Sequence, residues 1–394
     1  MSNPWLTIIG LGDDGAHGLG NASRDLLARA EIVMGGPRHL AHVAGLTGAD
    51  LWPWPVPFDI APVLALRGRR VVVLASGDPF FYGAGGSLVD HLTQNEWQSL
   101  PHPSSFSLAA NALGWPLEQV ICHGLHAAPF ARLRADLTTS ARIICTLRDA
   151  SAPRALAEYL TLMGFGTSVL FICEALGSAD QRIRSVRADA FDLDQIAPLC
   201  LAAIDVQGQG MSRSSGLSDD LFINDGQITK RPIRALTLSA LAPRKNEVLW
   251  DIGAGSGSIS IEWCLAGGLS HALEAKDNRA ENIRQNAANF GVDHRLTVHL
   301  GTAPEALQPL PRPDAIFIGG GGNAALYAAL WPLIPQGTRL IANAVTLETE
   351  SLLIQLQSQK GGSLTRIDIA TAEPLGSMQG WSAARPVVQW SMTT

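Results

Sequence analysis

The densest chemistry in the sequence lies in VLWDIGAGSGSISIEW, residues 248–263. An apolar run ends at Asp251, a turn carries Gly253, Gly255 and Gly257, and a helix is expected to start near Ser258. Glycines at this spacing let the backbone approach a ligand closely and take up positive φ. A weaker pattern, IIGLGDDG, places Gly10, Gly12 and Gly15 directly after the first apolar run. Both fit a nucleotide-type ligand held at a strand-to-helix turn. A lone glycine pattern does not separate a dinucleotide dehydrogenase from other adenosyl-binding folds. In any doubly wound sheet such glycines also serve the sharp turn alone.

Other residue types point to chemistry less directly. Lys230, Arg231 and Arg234 form a basic cluster in ITKRPIRALTL, and arginine reads carboxylates bidentately where lysine acts as a point charge. The alternative is a solvated helix start. IFIGGGGN places Gly319, Gly320, Gly321 and Gly322 ahead of Asn323. His39 and His42 lie three apart on an expected helix, where a solvated face outweighs a metal or substrate site. No Ser/His/Asp set and no metal cluster is read, and catalytic residues are not singled out. Glu262 and Tyr327 are the two candidates for a general acid.

These residues need a scaffold, and the composition bounds it. At 394 residues the chain is long enough for two or more domains. It is 46% hydrophobic and 16% charged, with 39 glycines and 23 prolines, which excludes long disorder and a coiled coil. The net charge is −6, with 14 basic against 19 acidic residues up to Gly210 and no lysine before Lys230. Such a chain has no global field for a polyanion. Cys122, Cys145, Cys173, Cys200 and Cys264 show no CxxC pairing and read as small buried hydrophobes of a reducing compartment. No apolar stretch reaches bilayer length, and the N-terminus lacks the charged region of a signal peptide. A cytoplasmic location with no membrane partner is expected.

Short apolar runs alternate with helical patterns, which predicts an α/β fold with largely parallel sheets. In the first half WLTIIGLG, EIVMGG, RRVVVLASGD, ARIICTLRD, SVLFICEAL and LCLAAIDV read as strands. Helices are expected from Ser23, as N-cap, to Ala30 and from Ala152 to Met163. QGQGMSRSSGLSDD, residues 207–220, reads as a linker between a domain of residues 1–206 and another of 221–394. The second half supplies seven strands: EVLWDIGAG, HALEAK, RLTVHLG, DAIFIGGGG, TRLIANAV, LTRIDIAT and RPVVQWSM. The last two are expected to form an antiparallel edge hairpin on a mostly parallel sheet.

The 248–263 segment resembles motif I of the class I, Rossmann-like, S-adenosylmethionine-dependent methyltransferases. IIGLGDDG, LASGDPFFYGAGG, PHPSSFSLAANALGWP and LRDASAPRALAEYL, in this order, resemble the two-lobed tetrapyrrole methylases, or class III methyltransferases. NDGQITKRPIRALTLSAL, IFIGGGGN, ANAVTLE and ARPVVQW resemble the decarboxylating precorrin C15-methyltransferases. Together they cover nearly the whole chain.

The resemblance implies one S-adenosylmethionine site per domain. In the first domain Gly10, the loop of Ser76, Gly77, Asp78 and Pro79, and Ser104 with Ser105 would bind it. In the second, Asp251 would hold the methionine end beside Gly253, Gly255 and Gly257, and Glu274 would take the ribose hydroxyls. Thr302 and Ala303 would border the adenine, although many relatives carry an acidic residue where Thr302 stands. Lys230, Arg231 and Arg234 would grip the carboxylates of a reduced tetrapyrrole, with Gly319, Gly320 and Gly321 leaving it room. The implied reaction is methylation of a precorrin at carbons 5 and 15, with loss of an acetate carboxyl, in corrin ring synthesis. The expected assembly is a homo-oligomer acting on this small molecule and not on nucleic acid. An RNA methyltransferase is the rival, since both folds have RNA-modifying relatives. The acidic, lysine-free first domain and the lack of an NPP[YF] signature argue against it.

Overall fold

Runs of aliphatic residues build the first sheet from β1 (Leu6–Leu11), β2 (Ile32–Gly35), β3 (Asp50–Pro53), β4 (Val71–Ser76) and β5 (Trp97–Leu100). Their order is β3-β2-β4-β1-β5 and every pairing is parallel. Helices α1 (Asn21–Arg29), α2 (Pro37–Val43), α3 (Ala61–Leu64) and α4 (Gly85–Val89) lie between these strands in sequence. The two-residue strand period splits the sheet into two cores. Leu6 and Ile8 pack with Val71 and Val73, whereas Ile9 and Leu11 pack with Val72 and Leu74. The N-cap of α1 is Gly20, not Ser23, which is buried within the helix. Residues 4–307 and 310–394 are described in this computed structural model.

The second sheet holds β6 (Val120–Gly124), β7 (Arg142–Thr146), β8 (Val169–Glu174), β9 (Arg182–Arg187) and β10 (Cys200–Asp205) in the order β6-β7-β10-β8-β9. The expectation of largely parallel sheets fails here, because only β6 and β7 run parallel. For β8 and β9 the reason is connection length. Only residues 175–181 separate β8 from β9, too few for a parallel crossover. Helices α5 (Ser105–Leu113) and α6 (Ala152–Leu162) complete this unit. Cys145, Cys173, Cys200 and Cys264 are buried and Cys122 is half-buried, all as free thiols. Burial pushes the thiols of Cys145, Cys173 and Cys264 up to about 12.

The third sheet is mixed. It comprises β11 (Val248–Ile252), β12 (Leu269–Glu274), β13 (Leu296–Leu300), β14 (Ala315–Ile318), β15 (Arg339–Ala344) and β16 (Ser363–Ile367). Between β16 and β19 (Val387–Thr393) the chain inserts a separate hairpin of β17 (Ala370–Leu375) and β18 (Met378–Ala383). The sheet order is β13-β12-β11-β14-β15-β19-β16, with β19 antiparallel to both neighbours. Thus β19 lies inside the sheet and β16 forms the edge. Helices α7 (Arg231–Leu241), α8 (Ser258–Leu265), α9 (Asp277–Asn289), α10 (Ala324–Leu330) and α11 (Leu347–Lys360) belong to this unit.

The chain divides into a first unit running up to Phe130 and from Asp136 to Gln209, and a second of Ala131–Ala135 and Gly210–Thr394. The 207–220 segment expected as a linker is largely anchored. The backbone N–H of Gln207 donates to Ser168 Oγ, and Leu217 is buried in the core that holds Leu238, Leu249 and Phe290. Residues 212–215 alone form an exposed run. Its small polar composition hid one apolar anchor, Leu217. No helix among the described residues is long and apolar enough to cross a membrane.

Candidate functional site

In the first unit three loops converge beyond the C-terminal ends of the adjacent strands β4, β1 and β5. A Cβ at Gly10 would overlap the carbonyl oxygen of Gly77 and lie 2.5 Å from the His102 nitrogen. Gly77 itself has φ +58° and donates its N–H to the Leu11 carbonyl. Ser76 Oγ sits 3.1 Å from His39 Nε2. Asp78 Oδ1 accepts the N–H of Phe80, and the Pro79 carbonyl accepts that of Gly85. Ser104 is buried and caps α5, its Oγ accepting the Ser107 N–H at 3.1 Å, and Ser105 opens the helix. The sequence-derived set therefore meets at one edge. Replacing Ser104 with alanine should cost about 1 kcal/mol of stability, read by urea unfolding of the full chain.

His39 corrects an expectation. It is 9% exposed rather than on a solvated face, because α2 turns it toward the end of β4. Desolvation, then the neighbouring Arg38 and His42, hold its imidazole down at about 4. It is therefore neutral at pH 7. His102 also belongs here and was missed, its Nε2 lying 3.3 Å from Asp14 Oδ2.

In the second unit the glycine turn follows β11. Gly253, Gly255 and Gly257 have φ of +71°, +61° and +74°. A Cβ at Gly253 would lie 2.5 Å from the Gly320 carbonyl oxygen, so two turns touch through bare backbone. Glu274 ends β12, is buried, and accepts the N–H groups of Gly255 at 2.8 Å and Lys276 at 3.0 Å. The carboxylate thus ties the glycine turn to the neighbouring strand. Thr302 Oγ1 donates to Glu305 Oε2 at 3.2 Å, so a carboxylate lies three residues beyond it.

These pieces surround a cavity of about 890 Å³ at the C-terminal ends of the parallel strands. Gly253, Gly255, Glu274, Thr302, Ala303, Gly319, Gly320, Gly321 and Lys230 all line it. So do Lys276, Arg279, Asn343 and Arg385, which the sequence reading missed. Asn343 is fixed between Thr237 Oγ1 and Gln389 Nε2, each at 3.0 Å. The ANAVTLE segment carried that signal without assigning a role to its asparagine.

Six candidates fall away from the cavity lining. Gly257 serves packing, since a Cβ there would lie 2.7 Å from Ile283 of α9. Arg231 is exposed at the start of α7 and is not a lining residue. Arg234 is fully buried and cannot grip a substrate. Its guanidinium donates to Glu262 at 2.6 Å, Asp219 at 3.0 Å and the carbonyls of Thr229 and Leu217, and lies 4.8 Å from the Phe222 ring centre. Glu262 is correspondingly no general acid, because it accepts from Arg234 and from the N–H groups of Gly216 and Leu217. Tyr327 is 1% exposed between Trp331 and Trp390, and burial pushes its hydroxyl pKa up. It too lies away from the lining.

Asp251 is the sixth. It lies beneath the turn, where Oδ2 accepts the N–H and Oγ–H of Ser260 while Oδ1 has no partner among the described residues. Desolvation pushes its carboxyl up to about 6 from an ordinary 3.8. Between these values the folded protein holds a proton that the unfolded chain releases, so this group favours folding on the acid side. That contribution is lost as pH rises through 6. Asp251→Asn keeps an acceptor for Ser260 and removes the charge. Urea unfolding at pH 4 and pH 7 should show a smaller loss of stability on going to pH 7 in the variant than in the wild type.

Comparison with known proteins follows the same division. Residues 6–192 match the tetrapyrrole (corrin/porphyrin) methylases, and residues 220–394 match the precorrin methyltransferase domain. A precorrin-6Y C(5,15)-methyltransferase (decarboxylating) of Sinorhizobium sp is 48% identical over 400 aligned positions, covering 99% of this chain and 97% of the relative. One of Mycobacterium tuberculosis (strain CDC 1551 / Oshkosh) is 38% identical over 394 positions, covering 98% and 99%. The crystal structure of the C-terminal domain of precorrin-6Y C5,15-methyltransferase from Rhodobacter capsulatus is 58% identical. It covers 47% of this chain and 100% of its own, with a TM-score of 0.46.

Proposed function

The chain belongs to the precorrin-6Y C5,15-methyltransferases (decarboxylating), and from that premise we propose that its two units divide the chemistry. It is a methyltransferase with an α/β fold that joins a tetrapyrrole methylase domain to a class I-like one. In our reading the first unit, residues 1–206, methylates carbon 5. The second, residues 221–394 with its seven-stranded, mostly parallel sheet, methylates carbon 15 and removes an acetate carboxyl. Each unit uses its own S-adenosylmethionine. The substrate is a small tetrapyrrole rather than nucleic acid, in keeping with the net charge of −6.

The observation that carries this reading is the second-unit cavity, where the glycine turn, Glu274 and the Gly319–Gly321 turn meet. The residues present fit the cofactor. A side chain at Gly253 would fill the cradle where the two turns touch, and the Glu274 carboxylate stands in the wall. Gly253 and Gly255 would hold the methionine end, Glu274 the ribose, and Thr302 with Ala303 the adenine. S-adenosylmethionine supplies an electrophilic methyl group on a sulfonium.

The chain's own residues then work by orientation. A reduced tetrapyrrole has enamine-like, nucleophilic meso carbons, so holding one in line is the main requirement. Gly319–Gly321 leave space beside the wall, and Lys230 offers a cation to a peripheral carboxylate. Val345, Ile367 and Val387 form an apolar side that desolvates the departing carboxylate. When the C–C bond breaks, its electron pair passes into the conjugated ring and carbon dioxide leaves.

Full-length protein given S-adenosylmethionine and a hydrogenated precorrin should yield, by mass spectrometry, a product with two methyl groups gained and one carbon dioxide lost. Methyl transfer to bulk RNA with none to the tetrapyrrole would overturn the reading.

A further inference from the structure

With Arg231 and Arg234 away from the cavity, its cations are Lys230, Lys276, Arg279 and Arg385. Two of them are already engaged: Lys230 Nζ lies 3.7 Å from Asp219, and Arg279 is paired with Asp225 at 2.7 Å. Lys276 stands two residues beyond Glu274, at the end of β12 and so on the adenosyl side. Arg385 is exposed, and no hydrogen bond or ion pair to it is found among the described residues.

Topology explains how Arg385 reaches the site. Because β19 runs against its neighbours, its first residues lie beside the last residues of β15 and β16, with Val388 opposite Ala344 and Val387 opposite Ile367. A residue just before β19 is therefore delivered to the edge where the glycine turns end. Its backbone is anchored on both sides, by the Ala384 N–H on the Ile369 carbonyl at 2.8 Å and by the β19 pairing. Val345, Ile367, Ile369 and Val387 line the same cavity as Arg385.

Resting on the function proposed above, we propose that Arg385 is the specificity-determining cation of the second unit. Its guanidinium takes one peripheral carboxylate of the tetrapyrrole bidentately and so selects rings that carry a carboxylate at that position. A bidentate guanidinium–carboxylate pair adds geometric selectivity to the attraction of opposite charges. Lys230, held toward Asp219, is a secondary contact.

The test uses the full chain as wild type, Arg385→Gln and Arg385→Lys. Arg385→Gln should raise the tetrapyrrole KM of the carbon-15 step by about 10- to 100-fold, the range of a lost charged hydrogen bond. The kcat should stay within about threefold, because the contact is made equally in ground and transition states. Binding of S-adenosylhomocysteine, carbon-5 methylation and Tm should be unchanged, and Arg385→Lys should recover part of the KM. An unchanged KM overturns the assignment while leaving the functional reading intact. A parallel loss of S-adenosylhomocysteine affinity also overturns it, by moving Arg385 to the cofactor half. Failure of the wild type to methylate any tetrapyrrole would instead overturn the functional reading, and the assignment with it.

Discussion

Replacing Arg234 with methionine should lower the unfolding free energy of the second unit by about 3–5 kcal/mol, the cost of breaking a buried ion pair from one side. The variant leaves the Glu262 carboxylate buried without its charge partner and the carbonyls of Thr229 and Leu217 without a donor. The stacked Phe222 ring loses its cation as well. Removing both charges, as Arg234→Met with Glu262→Met, should cost less than the sum of the single changes, since neither partner is then stranded. Urea unfolding of the three variants, followed by tryptophan fluorescence, measures both effects. If Arg234 gripped substrate instead, the methionine variant would keep its stability and lose only KM.

Gly253→Ala should reduce the carbon-15 reaction by at least about 100-fold while carbon-5 methylation continues. The new Cβ meets a backbone oxygen 2.5 Å away at Gly320, which no side-chain rotation relieves, and an L-residue is strained at φ +71°. The two turns that form the cavity wall must separate. Gly10→Ala is the mirror experiment, because its Cβ overlaps the Gly77 carbonyl in the first unit. Mass spectrometry should show one methyl without loss of carbon dioxide for Gly253→Ala. For Gly10→Ala it should show one methyl with that loss. Abolition of both methylations by either substitution would mean that the units do not divide the work.

Much of this arrangement was legible in the sequence. All seven strands of the third sheet and the glycine turns announce themselves: the five parallel strands as apolar runs, the antiparallel β16 and β19 as the runs LTRIDIAT and RPVVQWSM, and the tight turns by their glycines. In the first unit β3, β5, β6 and β9 escaped notice. DLWP is exposed at an edge, and RIRSVR carries three arginines, two of which reach the buried Glu174 carboxylate. The β17–β18 hairpin was invisible because nearly every residue in it is exposed, so no face imposes a period.

The misassigned charges are more instructive. Arg234, Thr237, Leu238 and Leu241 occupy one buried helical stripe at i, i+3, i+4 and i+7. That spacing places an arginine inside, and the equally buried α8 supplies its partner at Glu262. Reading charge type without the stripe turned a structural ion pair into a binding site. Arg385 was hidden for the opposite reason: its position depends on the reversal of β19, which pairing decides and local sequence does not.

That reversal also bears on synthesis. β19 is made after β15 and β16 but lies between them. Until residues 387–393 leave the ribosome, β15 waits with an open apolar edge and β16 has no strand to join. Translational pausing in the preceding stretch should therefore prolong exposure of an aggregation-prone edge and increase the need for chaperones.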